Sequence, residues 1–217
     1  MAGLYLDTRL PLVILGAGGH AKVLLSLIQA SGAKVIGVCD PQLAANGASE
    51  WRGIPVLGED SSVLGFAPDA IGLVNGIGQL VGTTLREMLF VRWQAAGYQF
   101  PALVHPAAWV DISATLGPGA QVMAGAVIQA DVCVGANTII NTRVALDHDC
   151  VVGAHVHVAP GATLCGNVLV RDRAFIAAGS TILQGLKVGS GAVLAAGAVL
   201  IRDLPDDQIS FGISARR

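Results

Sequence analysis

The sequence is poor in charge, in paired cysteines and in segments that could leave water. Only 13% of its 217 residues are charged, 13 Lys and Arg against 15 Asp and Glu, for a net charge of −2. No basic excess is available to follow a phosphate backbone, which excludes bulk nucleic-acid binding. Cys39, Cys133, Cys150 and Cys165 lie far apart and form no CxxC pair. A chain of this size needs no disulfide staple, so they are expected as small buried hydrophobes. The N-terminus lacks a basic flank followed by an apolar run and a small-residue cleavage site, which points to the cytoplasm. Mean hydropathy is high, +0.64, and Ile112 to Ala130 carries no charge over a length that could span a bilayer. Yet Ser113, Thr115, Gln121, Gln129 and several glycines interrupt it at regular spacing, so a repeat is expected and membrane insertion is not.

What is present is a fixed beat of six. From Val110 an aliphatic recurs every sixth position, through Leu116, Val122, Ile128, Val134, Ile140 and Leu146 and on without a break to Leu200. Four residues after each aliphatic stands a mostly small residue, such as Ala114, Ala120, Ala126, Thr138, Ala162 or Ser180. Strand residues two apart share a face, so the small residue and the aliphatic two positions later both point inward. Gly117, Gly135, Gly153 and Gly189 directly follow an aliphatic, with Asp111, Asn141 and Asp147 in the same slot. Those slots are expected to be corners with positive φ, which Gly, Asn and Asp tolerate best. A six-residue unit cannot bury its inner face alone, so units at three per coil stack into about five coils of parallel β-helix. A β-sandwich would break so strict a period with its variable loops.

Ahead of the repeat, the apolar run at 10–15 enters Gly16-Ala17-Gly18-Gly19-His20-Ala21, and Val23, Leu24, Leu27 and Ile28 then follow at helical spacing. A strand from Lys34 to Cys39 ends at Asp40, and another from Ala70 to Val74 leads into Asn75-Gly76-Ile77-Gly78. Val81, Leu85, Met88 and Leu89 mark an amphipathic helix up to Gly97. Alternating strands and helices predict a small parallel sheet, a Rossmann-like half, over 1–104, with the β-helix over 105–217. The first turn fits G-x-G-x-x-A with an acid about 20 positions on. Glycines there let a phosphate approach the backbone, and the helix N-terminus offers free N–H groups. About 100 residues supply one mononucleotide half and no separate catalytic domain, which argues against a nicotinamide dehydrogenase; a tight turn that binds nothing is the plain alternative.

Three of the five histidines fall within 141–166. His148 lies between Asp147 and Asp149. A neutral imidazole accepts a proton near neutral pH, and a carboxylate can orient it, although neighbouring strand residues point to opposite faces and could meet only at a corner or across a subunit boundary. Gly166 follows His148 by 18 residues, one full coil, and is expected directly above it at the interstrand spacing of about 4.7–4.9 Å. A base beside an N–H that can hold an oxyanion is what acyl transfer from a thioester needs. His148, His155 and His157 occupy different positions in their hexads, so no metal cluster is expected. A metal-dependent prism enzyme of the carbonic anhydrase type is the competing reading.

GAGGHAK at 16–22, DHDCVVG at 147–153, VHVAPG at 156–161 and CGN at 165–167 carry a resemblance over nearly the whole chain. They are similar to the hexapeptide-repeat bacterial sugar acetyltransferases that act on nucleotide-linked 4-amino sugars, and to the related sialic acid O-acetyltransferases. The resemblance implies a left-handed β-helix, acetyl-CoA as co-substrate, no metal, and a homotrimer with active sites between subunits. It implies His148 as general base assisted by Asp149, His157 near the acetyl group, Gly166 donating to the thioester carbonyl, and Ala178 and Ala196 as contacts along the CoA arm. It places the nucleotide at Gly18, Gly19, His20 and Asp40. Two departures stand out: Asp149 replaces the more usual Glu, and Ser214 replaces a proline of the terminal loop. Three functions remain open at this point: N-acetylation of a sugar amine for bacterial surface glycans, O-acetylation of sialic acid or a related sugar, and a non-catalytic scaffold that binds a nucleotide sugar.

Overall fold

A computed structural model describes residues 10–211; Ser214 and the rest of the terminal loop beyond Phe211 lie outside them. The chain divides into two compact units, Met1–Pro106 and Ala107–Arg217.

In the first unit, the wholly buried strand β1 (Leu12–Leu15) leads into helix α1 (Gly19–Ser31). Helix α1 buries Ala21, Leu24, Leu25, Leu27 and Ile28 and ends at Gly32, whose φ of 75° closes the last turn. Strand β2 (Val35–Cys39) is followed by the short helix α2 (Pro41–Ala45) and by a hairpin of β3 (Glu50–Trp51) and β4 (Ile54–Gly58). Strand β5 (Gly72–Asn75) completes a sheet of order β3-β4-β2-β1-β5, parallel except for β3.

The last helix, α3 (Leu85–Ala95), corrects the expectation drawn from its aliphatics. Val81 precedes it, and Val81, Leu85 and Met88 are exposed; the buried face is Arg86, Leu89, Phe90 and Trp93. Phe90 meets Phe100 at 4.7 Å between ring centroids and Trp93 meets Tyr98 edge-on at 5.4 Å. Rings bury more area than aliphatic side chains, and they set the rotation of the helix.

The second unit is a left-handed β-helix. Sixteen two-residue strands run from Trp109–Val110 to Val199–Leu200, each ending on the aliphatic of its hexad. Strands 18 residues apart pair in parallel and in register, as Ile128 with Leu146 and Leu146 with Leu164, and build three faces. The inward aliphatics and small residues are buried. Thr138, a polar residue in a small slot, is satisfied there: its hydroxyl donates to Gly153 O (2.7 Å) and accepts from Val156 N–H (3.1 Å). Beyond Leu200 the beat shortens, with Val188 opposite Leu204 and Val193 opposite Ile209.

The corners differ from the sequence expectation. Positive φ falls three residues after the aliphatic, at Asp131, Asn137, Arg143, Asp149, His155, Asn167 and Arg173, with φ of 56–62°. The glycines that directly follow an aliphatic are required for another reason. A Cβ on Gly135 would lie 2.4 Å from the carbonyl carbon of Gly153 in the next coil, so close stacking excludes a side chain. The cysteines also divide: Cys39 and Cys150 are buried, but Cys133 occupies an outward strand position and is exposed, and Cys165 is half-buried.

Candidate active site

His148 stands two residues beyond the inward Leu146, on the corner between strands Ala145–Leu146 and Val151–Val152. Strand alternation would send its neighbour Asp149 to the other face. The left-handed backbone at Asp149, φ 60°, turns the carboxylate back instead, and Oδ2 lies 2.7 Å from Nδ1 of His148. A carboxylate only accepts, so Nδ1 carries the hydrogen and Nε2 keeps its lone pair. The hydrogen bond that Nδ1–H donates to Asp149, followed by the charge of Asp147, holds the imidazole above its ordinary pKa. Both side chains are open to solvent, at 61% and 56% exposure.

Gly166 lies in the next coil, where Asn167 N–H donates to His148 O at 2.8 Å. A Cβ on Gly166 would come within 2.6 Å of His148 Nε2, so any other residue would press on the basic nitrogen. Among the described residues the Gly166 N–H meets no acceptor. The corner thus presents the Nε2 lone pair at an open surface, next to a glycine that leaves it uncovered.

His157 belongs to a different part of the prism. It points outward from strand His157–Val158, between Ile139 and Phe175 in the flanking coils, with its ring edge-on to Phe175 at 4.9 Å. Asn141 Nδ2 lies 3.2 Å from its Nε2. That face is across the prism from the His148 corner, so one copy of the chain does not bring the two histidines together. Ala178 and Ala196 stack at the end of this same face, where Gly197 N–H donates to Ala178 O at 2.9 Å. His155 sits at another corner, its Nδ1 3.1 Å from Asn137 Nδ2. Among the described residues no three His, Cys, Asp or Glu side chains gather to hold a metal, and no helix is long and apolar enough to cross a membrane.

In the first unit, Gly18 caps α1 without a side-chain hydrogen bond. Space beside Gly18 and Gly19 is open, with nothing within 4 Å of an added Cβ. His20, in the first turn of α1, abuts Gly78, whose added Cβ would lie 3.3 Å from His20 Cβ. Asp40 is at the turn, but its carboxylate is occupied by backbone. Oδ2 accepts from Ala17 N–H (2.9 Å), and Oδ1 accepts from Gln42 and Leu43 N–H (3.0 and 2.9 Å), capping α2. It therefore braces the glycine turn.

Sequence reasoning missed four residues of these surroundings. Arg86 is buried, its pKa pushed down to about 9 by burial, and it donates through Nη1 to Asn75 O (3.0 Å) and Ile77 O (2.6 Å). Asn75 returns a bond from Nδ2 to Arg86 O (2.8 Å), so the pair clamps the loop after β5. An arginine among exposed helix residues gives no sequence signal of this. Asn141 and Phe175 were findable: the 18-residue coil puts Phe175 over His157, and alternation puts Asn141 on the same outer face.

The PglD N-terminal domain family matches residues 11–82. No curated protein matches the chain. Among solved structures, a variant of perosamine N-acetyltransferase from Caulobacter crescentus, in complex with CoA and GDP-perosamine, is similar at 35% identity and a TM-score of 0.85 over 95% of each chain. The acetyltransferase domain of PglB from Neisseria gonorrhoeae, in complex with acetyl coenzyme A, is similar at 33% identity and a TM-score of 0.84, over 92% of this chain and 94% of that one. WeeI from Acinetobacter baumannii shares the fold at 23% identity and a TM-score of 0.81, over 93% of this chain and 96% of that one.

Proposed function

The chain belongs to the hexapeptide-repeat sugar acetyltransferases, and from that premise we propose that it carries the acetyl group of acetyl-CoA to the amino group of a nucleotide-linked 4-amino-4,6-dideoxy sugar. The observation that carries this reading is the His148 corner: Asp149 on Nδ1, Nε2 bare, and a glycine where a side chain would block it. The sugar amine attacks the thioester carbonyl, and its proton passes to Nε2 of His148. The developing oxyanion accepts the Gly166 N–H. The C–S bond then breaks, and the imidazolium returns the proton to the departing thiolate. The open glycine turn at Gly18, Gly19 and His20 receives the nucleotide, with Asp40 bracing it from behind. His157, Ala178 and Ala196 line the path of CoA.

His148 and His157 stand on opposite sides of one prism, so a site that uses both is built from two copies. A cyclic homotrimer closes three such sites. Mass measurement in solution checks the trimer. Mixing His148→Ala and His157→Gln chains checks shared sites, because a mixed trimer recovers activity only if each site draws on two subunits.

Thiol release from acetyl-CoA tests the function. UDP-, GDP- and dTDP-linked 4-amino-4,6-dideoxy sugars serve as acceptors, GDP-perosamine first because a relative binds it. Sialic acid is the hydroxyl control. Turnover with one amino sugar and none with sialic acid is expected; preference for the hydroxyl, or thiol release with no acceptor at all, would overturn the reading.

A further inference from the structure

Three neighbouring strands of the first unit end side by side. Leu15 of β1 pairs with Cys39 of β2, and Cys39 pairs with Gly58 of β4. The glycine turn, Asp40 and the pair Glu59-Asp60 therefore leave the same edge of the sheet in a row, and β4 stands two strand spacings, roughly 10 Å, from β1. In open parallel sheets ligands lie outside this carboxyl edge. A nucleotide whose phosphate lies at the first turn brings its ribose to the end of the second strand. The next strand end along is where its base arrives.

The acid after the second strand is already engaged. Both oxygens of Asp40 accept from the backbone N–H groups of Ala17, Gln42 and Leu43. Asp60 differs. It opens a short 3-10 turn (Asp60–Gly65) and is half-buried, and among the described residues its carboxylate accepts no hydrogen bond. Burial raises its pKa, Arg92 pulls the other way, and the charges of Asp40 and Glu59 add to the rise. The backbone fixes its place beside Asp40. Asp40 N–H donates to Gly58 O at 2.9 Å, and Gly58 has a φ of 128°, where any Cβ would be strained and would also meet Ser62 Oγ. A half-buried carboxylate without donors is costly, and two donors arriving together relieve it.

A carboxylate only accepts, and it binds best to two donors set side by side. Guanine offers N1–H and the N2 amino group on one edge. Uracil and thymine offer a single N3–H between two carbonyl oxygens, which a carboxylate repels. We propose that Asp60 is a specificity-determining residue of the nucleotide-sugar site: it selects guanine by accepting N1–H and N2–H together, so that the amino sugar this protein uses is GDP-linked. The proposal rests on the nucleotide lying at the glycine turn, as the acetyltransferase reading has it.

Calorimetric titration of the whole chain with GDP, IDP, UDP and dTDP, without acetyl-CoA, reads the base alone. IDP is GDP without the N2 amino group. GDP is expected to bind about tenfold or more tighter than IDP, and UDP and dTDP more weakly still. Asp60→Asn sets an amide donor against the guanine donors, and it is expected to remove most of the advantage of GDP over IDP while leaving the affinity for UDP unchanged. Asp60→Ala is expected to do the same, with a thermal melt confirming that each variant folds. The wild-type ranking tests the proposal even where a variant does not fold. Equal binding of GDP and IDP, or tighter binding of UDP or dTDP than of GDP, would overturn it. So would equal losses for GDP and UDP in the Asp60 variants, which would mean that Asp60 meets the ribose or diphosphate common to both. Binding is read apart from turnover. A protein that selects GDP through Asp60 yet acetylates no GDP-linked amino sugar would uphold Asp60 and refute the acetyltransferase reading. Acetylation of a UDP- or dTDP-linked amino sugar alone would do the reverse.

Discussion

The His148 corner of the prism and the glycine turn of the N-terminal unit use their polar side chains in opposite ways. At the prism corner, His148 and Asp149 stand in solvent on a stacked repeat, with Nε2 of His148 left uncovered by Gly166 in the next coil. Around the glycine turn, Asp40, Asn75 and Arg86 are turned onto backbone groups, and they hold the loops at the strand ends. The lesson is a division of labour. Reaction chemistry needs one or two groups presented openly by elements that do not move, while a binding loop needs polar atoms behind it to keep its shape.

Substitutions at the two regions should therefore fail in different ways. The largest effect belongs to His148→Ala. At working pH it is expected to cut kcat roughly 10²–10⁴-fold, with the thermal melt and the oligomer unchanged, because an exposed corner residue carries little of the fold. Gly166→Ala comes next. Its backbone is not in the left-handed region, so the variant folds, but the new methyl displaces Nε2 and is expected to cost about 10²-fold in kcat. Equal loss of thermal stability and activity in either variant would erase the contrast between the regions.

Much of this contrast was legible in the sequence, and the gaps have physical causes. The unbroken hexad forces the stacking, and its 18-residue coil places Gly166 over His148. The pairing of His148 with Asp149 was not legible, because alternation argues against neighbours meeting and only the left-handed φ at Asp149 reverses it. The positive-φ corners were assigned to the wrong slot because glycine serves two purposes in this fold, close stacking after the aliphatic and turning two positions later. In the N-terminal unit no repeat fixes the frame. Val81, Leu85 and Met88 read as a buried stripe, yet Phe90 and Trp93 decide which side of α3 is inside, and a buried Arg86 reads from sequence as a surface residue.

Smaller effects sharpen the comparison. Asp149→Asn removes the main cause of the raised His148 pKa. In the proposed mechanism the neutral ring is the active form and activity rises as pH climbs through that pKa, so the acid limb of kcat/KM is expected to move to lower pH, with a loss of roughly tenfold on the plateau. An unmoved limb would detach Asp149 from the base. Asp40→Ala is expected to cost only about 1 kcal/mol, some 2–4 °C in the melt, through loss of the α2 cap. It is also expected to weaken nucleotide-sugar binding, read as a higher KM for the sugar at unchanged KM for acetyl-CoA. A change in both constants would show that the first unit does more than hold its own loops.

The claim on which the account turns is that Nε2 of His148 takes the proton. It is tested most directly by recording kcat/KM against pH for the wild-type and His148→Ala proteins with the best amino-sugar acceptor. The wild type is expected to show an acid limb above the ordinary imidazole value of about 6.5, and the variant to lose that limb together with most of the rate. A limb that persists at the same midpoint in His148→Ala would place the base elsewhere and contradict the assignment.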